Sequence, residues 1–141
     1  YEPGVLCAVG YQNGKEAKRE ERWTTGGAER IEMTAYEDCI CAGGQDIAII
    51  NVRILDKYDR IVPTADQQII FTVEGAGTFL GTGNGNPGSH EADKLPVRRA
   101  FHGRCQLLVK SAVSPGKIKI TAKAEGLAAS VCIIESKLER K

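Results

Sequence analysis

Net charge is almost absent from this 141-residue sequence: 19 Lys and Arg against 18 Asp and Glu leave +1. Nucleic acid is therefore not an expected partner, because its phosphates call for a basic field. Long apolar runs are missing too. No stretch approaches the roughly 20 residues that a membrane helix needs, so no membrane span is expected. The opening Tyr1-Glu2-Pro3-Gly4 has neither the basic region nor the apolar stretch of a signal peptide. Strand-like sequence from the fourth residue reads as a chain that starts inside a longer protein. There is no Cys-x-x-Cys among Cys7, Cys39, Cys41, Cys105 and Cys132. Zinc ribbons and thioredoxin-like motifs thus lose their main support. Most of these cysteines lie in apolar runs and read as buried free thiols; a redox pair is the alternative, with no partner named by the sequence. Helical periodicity over ten or more residues is also lacking.

Alternation with a period of two is the signal that is present. In Lys117-Ile118-Lys119-Ile120-Thr121-Ala122-Lys123-Ala124-Glu125 every second residue is apolar. Successive strand side chains point to opposite faces, so one face is buried and the other wet. The pattern recurs in Arg30–Ala35 and Ile69–Glu74. Runs richer in β-branched residues, Asp46–Asp56, Arg104–Ala112 and Leu127–Glu135, read as strands buried more completely. Turn signals separate them: Gly43-Gly44, Asp59-Arg60, Gly75-Ala76-Gly77, the Gly81–Ser89 stretch and Ser114-Pro115-Gly116. Short strands without helices predict an all-β sandwich. A long irregular connection from about Gly83 to Gly103 breaks the rhythm; such loops are functional or packed on a neighbouring domain.

The first 37 residues differ from the rest. A strand at Gly4–Tyr11, an Asn13-Gly14 turn and a charged stretch at Lys15–Arg22 leading into Trp23 make a hairpin signal. A lone hairpin is marginal in water. Residues 1–37 are therefore expected to close a preceding domain, and to dock on the sandwich or swap between copies when that domain is missing. Residues 38–141 form the predicted sandwich, with its strands from about Asp38 to Ser136.

The sequence resembles the C-terminal region of multidomain β-galactosidases and related enzymes of glycoside hydrolase family 2. The resemblance is carried by Pro3–Leu6, Ala8–Tyr11, Asn13–Lys15, Glu21-Arg22 and Thr24–Gly26; by Val52–Asp56, Val62–Asp66, Phe71–Gly75 and Gly77; by Gly83–Glu91 with Arg99–Gly103; and by Gly116–Ile118 through Ala124–Leu127. It covers nearly the whole chain in the right order. It implies an immunoglobulin-like β-sandwich with an extra N-terminal hairpin, lying beside other domains of a glycosidase; the compartment stays open, with periplasmic or secreted favoured over cytoplasmic. Two positions depart from the family pattern: Arg60 stands where glycine is frequent, and Asn86 where aspartate is common.

Catalysis is not expected from this chain. Glycosidases of this kind need two carboxyl groups about 5 Å apart. The resemblance implies that these lie on a TIM barrel of about 250 residues, longer than this chain. Gly81-Thr82-Gly83-Asn84-Gly85-Asn86 superficially resembles a nucleotide loop, but Pro87-Gly88 and no helix follow it. His90, Glu91, Asp93 and His102 carry metal-binding donors at spacings that match no ligand pattern, so neither a metal nor any other cofactor is expected. In the long loop, Asn84, Asn86, Ser89, His90 and Glu91 are the candidate contact residues; Ser89, His90 and Glu91 are expected to hydrogen-bond backbone groups and pin it. Carbohydrate sites on β-sandwiches usually present aromatic rings. Of the eight aromatics, Phe71, Phe79 and Phe101 fit core positions and Tyr1 and Tyr11 fall in the hairpin. Trp23 and Tyr58 are the candidate sugar-stacking pair, with Tyr36 also facing outward.

The expected role is that of a non-catalytic, architectural accessory domain of a family 2 enzyme, of β-galactosidase type. Its expected partners are the other domains of that enzyme, with a glycan and a second copy through the hairpin as further candidates. A carbohydrate-binding module is the alternative. An adhesion-type repeat would need tandem copies, and the sequence shows no internal repeat.

Overall fold

The computed structural model describes residues 2–138; Tyr1 of the expected hairpin and residues 139–141 lie outside the described residues. The chain opens with an antiparallel hairpin of β1 (Val5–Gln12) and β2 (Lys15–Trp23). Its turn residues Asn13 and Gly14 both have positive φ, 51° and 76°. That is the type I′ geometry which matches strand twist and which Asn-Gly adopts most readily.

Nine strands follow among the described residues: β3 (Arg30–Ala35), β4 (Cys39–Cys41), β5 (Ile47–Leu55), β6 (Gln68–Gly75), β7 (Gly77–Gly83), β8 (Val97–Arg99), β9 (Arg104–Ser111), β10 (Gly116–Lys123) and β11 (Ser130–Lys137). They form one sheet in the order β3-β5-β9-β7 and another in the order β4-β11-β10-β6-β8. Every pair is antiparallel except β4 with β11. The first sheet has the A-B-E-D order and the centre of the second the G-F-C order of an immunoglobulin-like sandwich. No helix occurs among the described residues.

The core follows from the alternation. Ala48, Ile50, Val52 and Ile54 of β5 point inward with Leu107 and Val109 of β9; from the other sheet Ile69 and Phe71 of β6, Ile118 and Ile120 of β10 and Ile134 of β11 complete the core. Each such side chain contributes about 1.5–3 kcal/mol by leaving water.

Several expectations change. Strand β3, which falls within residues 1–37, pairs with β5 of the sandwich from Arg30↔Leu55 to Ala35↔Ile50, and Ile31 is buried. The alternation at 30–35 marked the strand correctly, but its allegiance is a long-range matter. Gly81–Gly83 belongs to β7 rather than to a loop, because a bulge at Phe79/Gly81 lets the glycines continue the ladder with β9. The 83–103 connection carries the edge strand β8 and packs on its own domain. Strands β5 and β9 are buried on one face only; Ile47 and Ile49 remain 44% and 39% exposed on the other.

All five cysteines are free, but only Cys105 is fully buried, and Cys7 is exposed. Cys7 is wet because the hairpin, beyond its end at Trp23, packs on no other element among the described residues. Every residue of β1 and β2 is exposed except the half-buried Val9.

Candidate functional site

The hairpin meets the sandwich at one small joint. As β5 ends, Asp56 becomes fully buried and its carboxylate organises the turn behind it. Oδ1 accepts from the backbone N–H of Tyr58 (2.9 Å) and of Arg60 (3.0 Å). This is the Asx-turn chemistry that aspartate favours. Asp59, at φ 62°, takes the left-handed conformation that aspartate tolerates. Oδ2 reaches across to the linker and accepts from Gly26 N–H at 2.8 Å. Burial alone would push the Asp56 carboxyl up; the N–H groups of Gly26, Arg60 and Tyr58, with the Arg60 guanidinium, outweigh it and hold the pKa below the ordinary aspartate value.

Arg60 completes the joint. Its guanidinium lies 5.0 Å from the centre of the Trp23 ring and 4.9 Å from that of Tyr58, and it donates to Thr24 O at 3.3 Å. Cation–π pairs of this kind contribute about 0.5–1 kcal/mol each at exposed sites. Lys57 also approaches the Tyr58 ring, at 4.9 Å. Trp23 and Tyr58, singled out as sugar-stacking candidates, are thus brought together, each with Arg60 over its ring. Asp56 and Arg60 were not singled out as site residues. The available signal was Arg60 itself, one of the two positions departing from the family pattern.

The long loop is a second organised region. Asn84 donates from Nδ2 to Arg99 O at 2.9 Å and accepts from Asn86 N–H at 3.0 Å through Oδ1. Asn86 Oδ1 in turn accepts from Gly88 N–H at 2.9 Å. Ser89 Oγ lies 3.4 Å from both the Glu91 N–H and the Glu91 carboxylate, which accepts from Arg99 N–H at 3.2 Å. His90 is exposed and joins none of these bonds.

Beneath the loop lies a residue that sequence reasoning missed. Arg98, 2% exposed, donates from Nε to Thr82 Oγ1 (3.1 Å) and from Nη2 to Thr82 O (3.0 Å) and Asp93 Oδ1 (2.6 Å). It ties β8, on the edge of one sheet, to β7 on the edge of the other. Beside it the Cys105 thiol is pushed up to about 12 by burial, against the pull of Arg98.

His90, Glu91, Asp93 and His102 do not converge, and no group of three or more His, Cys, Asp or Glu side chains among the described residues is placed to hold a metal ion. His102 instead sets its Nδ1 3.2 Å from Pro63 O.

Residues 31–132 match the family described as glycoside hydrolase family 2 C-terminal domain 5. Over 136 residues the chain is 35% identical to the β-galactosidase BoGH2A of Bacteroides ovatus, covering 96% of this chain and 16% of that protein. A β-glucuronidase of Formosa agariphila is 26% identical over 129 residues, covering 89% of this chain and 13% of that one. The crystal structure of a glycosyl hydrolase family 2 member from Bacteroides cellulosilyticus superposes with a TM-score of 0.94 at 32% identity, covering 97% of this chain and 18% of that chain. The chain therefore spans less than a fifth of the length of these relatives.

Proposed function

The chain belongs to the glycoside hydrolase family 2 C-terminal domain 5 family, and from that premise we propose that it is the joint through which this sandwich is set at a fixed angle to the domain before it. The chain is a C-terminal accessory domain of a family 2 glycosidase without its catalytic domain. The observation that carries the proposed role is the cluster of Asp56, Arg60, Trp23 and Tyr58. Three backbone bonds to one buried carboxylate and one guanidinium over two rings are much organisation for so short a linker, which is also held by Glu29 N–H to Leu55 O and by Ala28 packed on the core.

In this reading the hairpin belongs to the preceding domain and the sandwich begins at Arg30. The exposed Val5, Leu6 and Tyr11 of the hairpin are covered in the whole enzyme by that domain's other strands. In the isolated chain a second copy can pair along the same edges, which unpaired strands invite. The Trp23 and Tyr58 rings serve the joint, since a sugar stacking on them competes with Arg60. Asn84, Asn86, Ser89 and Glu91 hold the long loop in shape, and His90 is left to face whatever adjoins it.

The enzyme carrying the domain is proposed to hydrolyse β-galactosides, the activity named for the Bacteroides ovatus relative. The test compares aryl β-galactoside and aryl β-glucuronide hydrolysis by the full-length protein with that by this chain alone. Turnover of the galactoside by the full-length protein and none by the chain is expected. Preference for the glucuronide would overturn the substrate assignment, and turnover by the chain would overturn the accessory role.

A further inference from the structure

The outer face of the β3-β5-β9-β7 sheet is ordered in rows. Register places Glu32, Arg53 and Arg104 side by side across three strands, then Thr34, Asn51, Gln106 and Gly83 across four, then Ile49, Leu108 and Gly81. Alternation turns these outward, since Val52, Cys105 and Leu107 between them are buried, although Gly81 is itself covered by the Asp93 carbonyl. The charged row is mostly self-satisfied through the Arg53–Glu32 ion pair. The third row is apolar and partly exposed.

The middle row lines a cleft of about 610 Å³, walled on the β7 side by Gly83, Asn84 and Gly85 of the long loop. That is within the size range of small-ligand sites, about 300–1,000 Å³. Its hydrogen-bonding capacity is largely unspent. Gln106 Nε2 donates to Asn51 Oδ1 at 2.9 Å, which fixes both amides and leaves the Asn51 NH₂ and Gln106 Oε1 facing the cleft without another side-chain partner among the described residues. Arg104, at the rim, has no side-chain partner among them either. Gly83 and Gly85 leave the loop backbone open, with nothing within 4 Å of where a Cβ would sit.

We propose that this cleft is a saccharide-binding site, in which Asn51, Gln106 and Thr34 hold adjacent hydroxyls of one sugar ring; Ile49 and Leu108 do not line the cleft but follow it in the next row of the same face, where they offer apolar surface to a ring that extends beyond it. A hydroxyl both donates and accepts, and so does each remaining partner in this row taken with its neighbour. The pairing of an amide row with an apolar row suits a pyranose, which has hydroxyls at its rim and C–H groups on its faces. Arg104 stands where it can bind a ring substituent or a linking oxygen. The assignment to a sugar, rather than to another polyhydroxylated ligand, rests on the reading that the parent enzyme acts on glycosides. It makes this domain a second hold on a substrate chain bound elsewhere, and it lies apart from Trp23 and Tyr58.

The test is a ¹H–¹⁵N titration of the 141-residue chain with galactobiose, cellobiose and a trigalacturonate, followed through the side-chain amides of Asn51 and Gln106 and, in the variant as well, through the backbone amides of Gly83, Asn84 and Gly85. Saturable shifts of these amides with one of the three, with Kd on the order of 1 mM, are expected. The Asn51→Ala/Gln106→Ala double variant is expected to weaken binding at least tenfold at an unchanged melting temperature, since both side chains face solvent. Binding of the trigalacturonate alone would support the site and place a carboxylate on Arg104. No shift of either amide with any of the three, or saturable shifts confined to the Trp23 indole, would overturn it. Neither of these results touches the joint, which is read from domain orientation and not from sugar.

Discussion

Replacing Arg98 by methionine should destabilise the sandwich far more than its ion pairs suggest. The pairs run to Asp93, whose side chain is 76% exposed, and at 3.7 Å to Glu91, 30% exposed. Freed of the guanidinium, these carboxylates are solvated again, and such pairs are worth about 0–1 kcal/mol. Thr82 fares differently. It is 5% exposed, and both its Oγ1 and its carbonyl accept from Arg98. Water cannot follow into a site filled by methionine, so each loses a partner at about 1–3 kcal/mol. The sum is about 2–6 kcal/mol, or a fall in Tm of roughly 6–24 °C for a domain of this size. Replacing a whole buried pair by apolar side chains is often neutral, but here a backbone carbonyl is one of the partners and cannot be replaced. Differential scanning calorimetry of Arg98→Met and Asp93→Asn separates the contributions. Asp93→Asn should cost less than about 1 kcal/mol. A small loss in Arg98→Met, or equal losses in the two variants, would refute the reasoning.

Other outcomes follow from the same structure. Gly75 (φ 91°) and Gly103 (φ 71°) sit where an added Cβ would run into the carbonyl oxygens of Lys117 and Val62, whereas Gly85 (φ 73°) faces open space. Urea melts should show losses above about 2 kcal/mol for Gly75→Ala and Gly103→Ala and about 1 kcal/mol for Gly85→Ala. The Asp56 pKa lies below its ordinary 3.8 in the folded chain, so its stabilisation is full above that value and is lost as pH falls through the folded pKa. Unfolding followed from about pH 6 to about pH 2 should show an acid limb that is shallower in Asp56→Asn; an unchanged limb would count against the turn. With iodoacetamide at mildly alkaline pH, mass spectrometry should find Cys7 labelled in the folded chain and Cys105 only after unfolding, since the thiolate is the reactive form. Because the folded Cys105 thiol stays protonated up to about 12, its contribution to stability is present below the ordinary thiol pKa and fades as pH rises above it.

What the sequence disclosed was local. The alternation at 117–125 and the Asn13-Gly14 turn each depend on a few neighbouring residues, and β10 and the hairpin lie where those signals fall. Sheet membership is not local. Arg30–Ala35 read as a strand, but nothing within it tells that its partner is β5, twenty residues on. Strand β4 is three residues long, too short to display a period. Arg98 is one of two adjacent arginines with nothing to tell them apart, and only the closing of two sheet edges over it reveals that it is buried. At the joint, Trp23 and Tyr58 stood out as aromatics free to face outward. What they share is Arg60, and that follows from the turn made by Asp56 rather than from either ring.

The central claim, that this domain holds its neighbour's hairpin at a fixed angle, is tested most directly by residual dipolar couplings of backbone amides in β1–β2 and in the sandwich. The account predicts that one alignment tensor fits both in the native chain and that Arg60→Ala scales the hairpin couplings down while leaving those of the sandwich unchanged. Hairpin couplings already averaged towards zero in the native chain would contradict it.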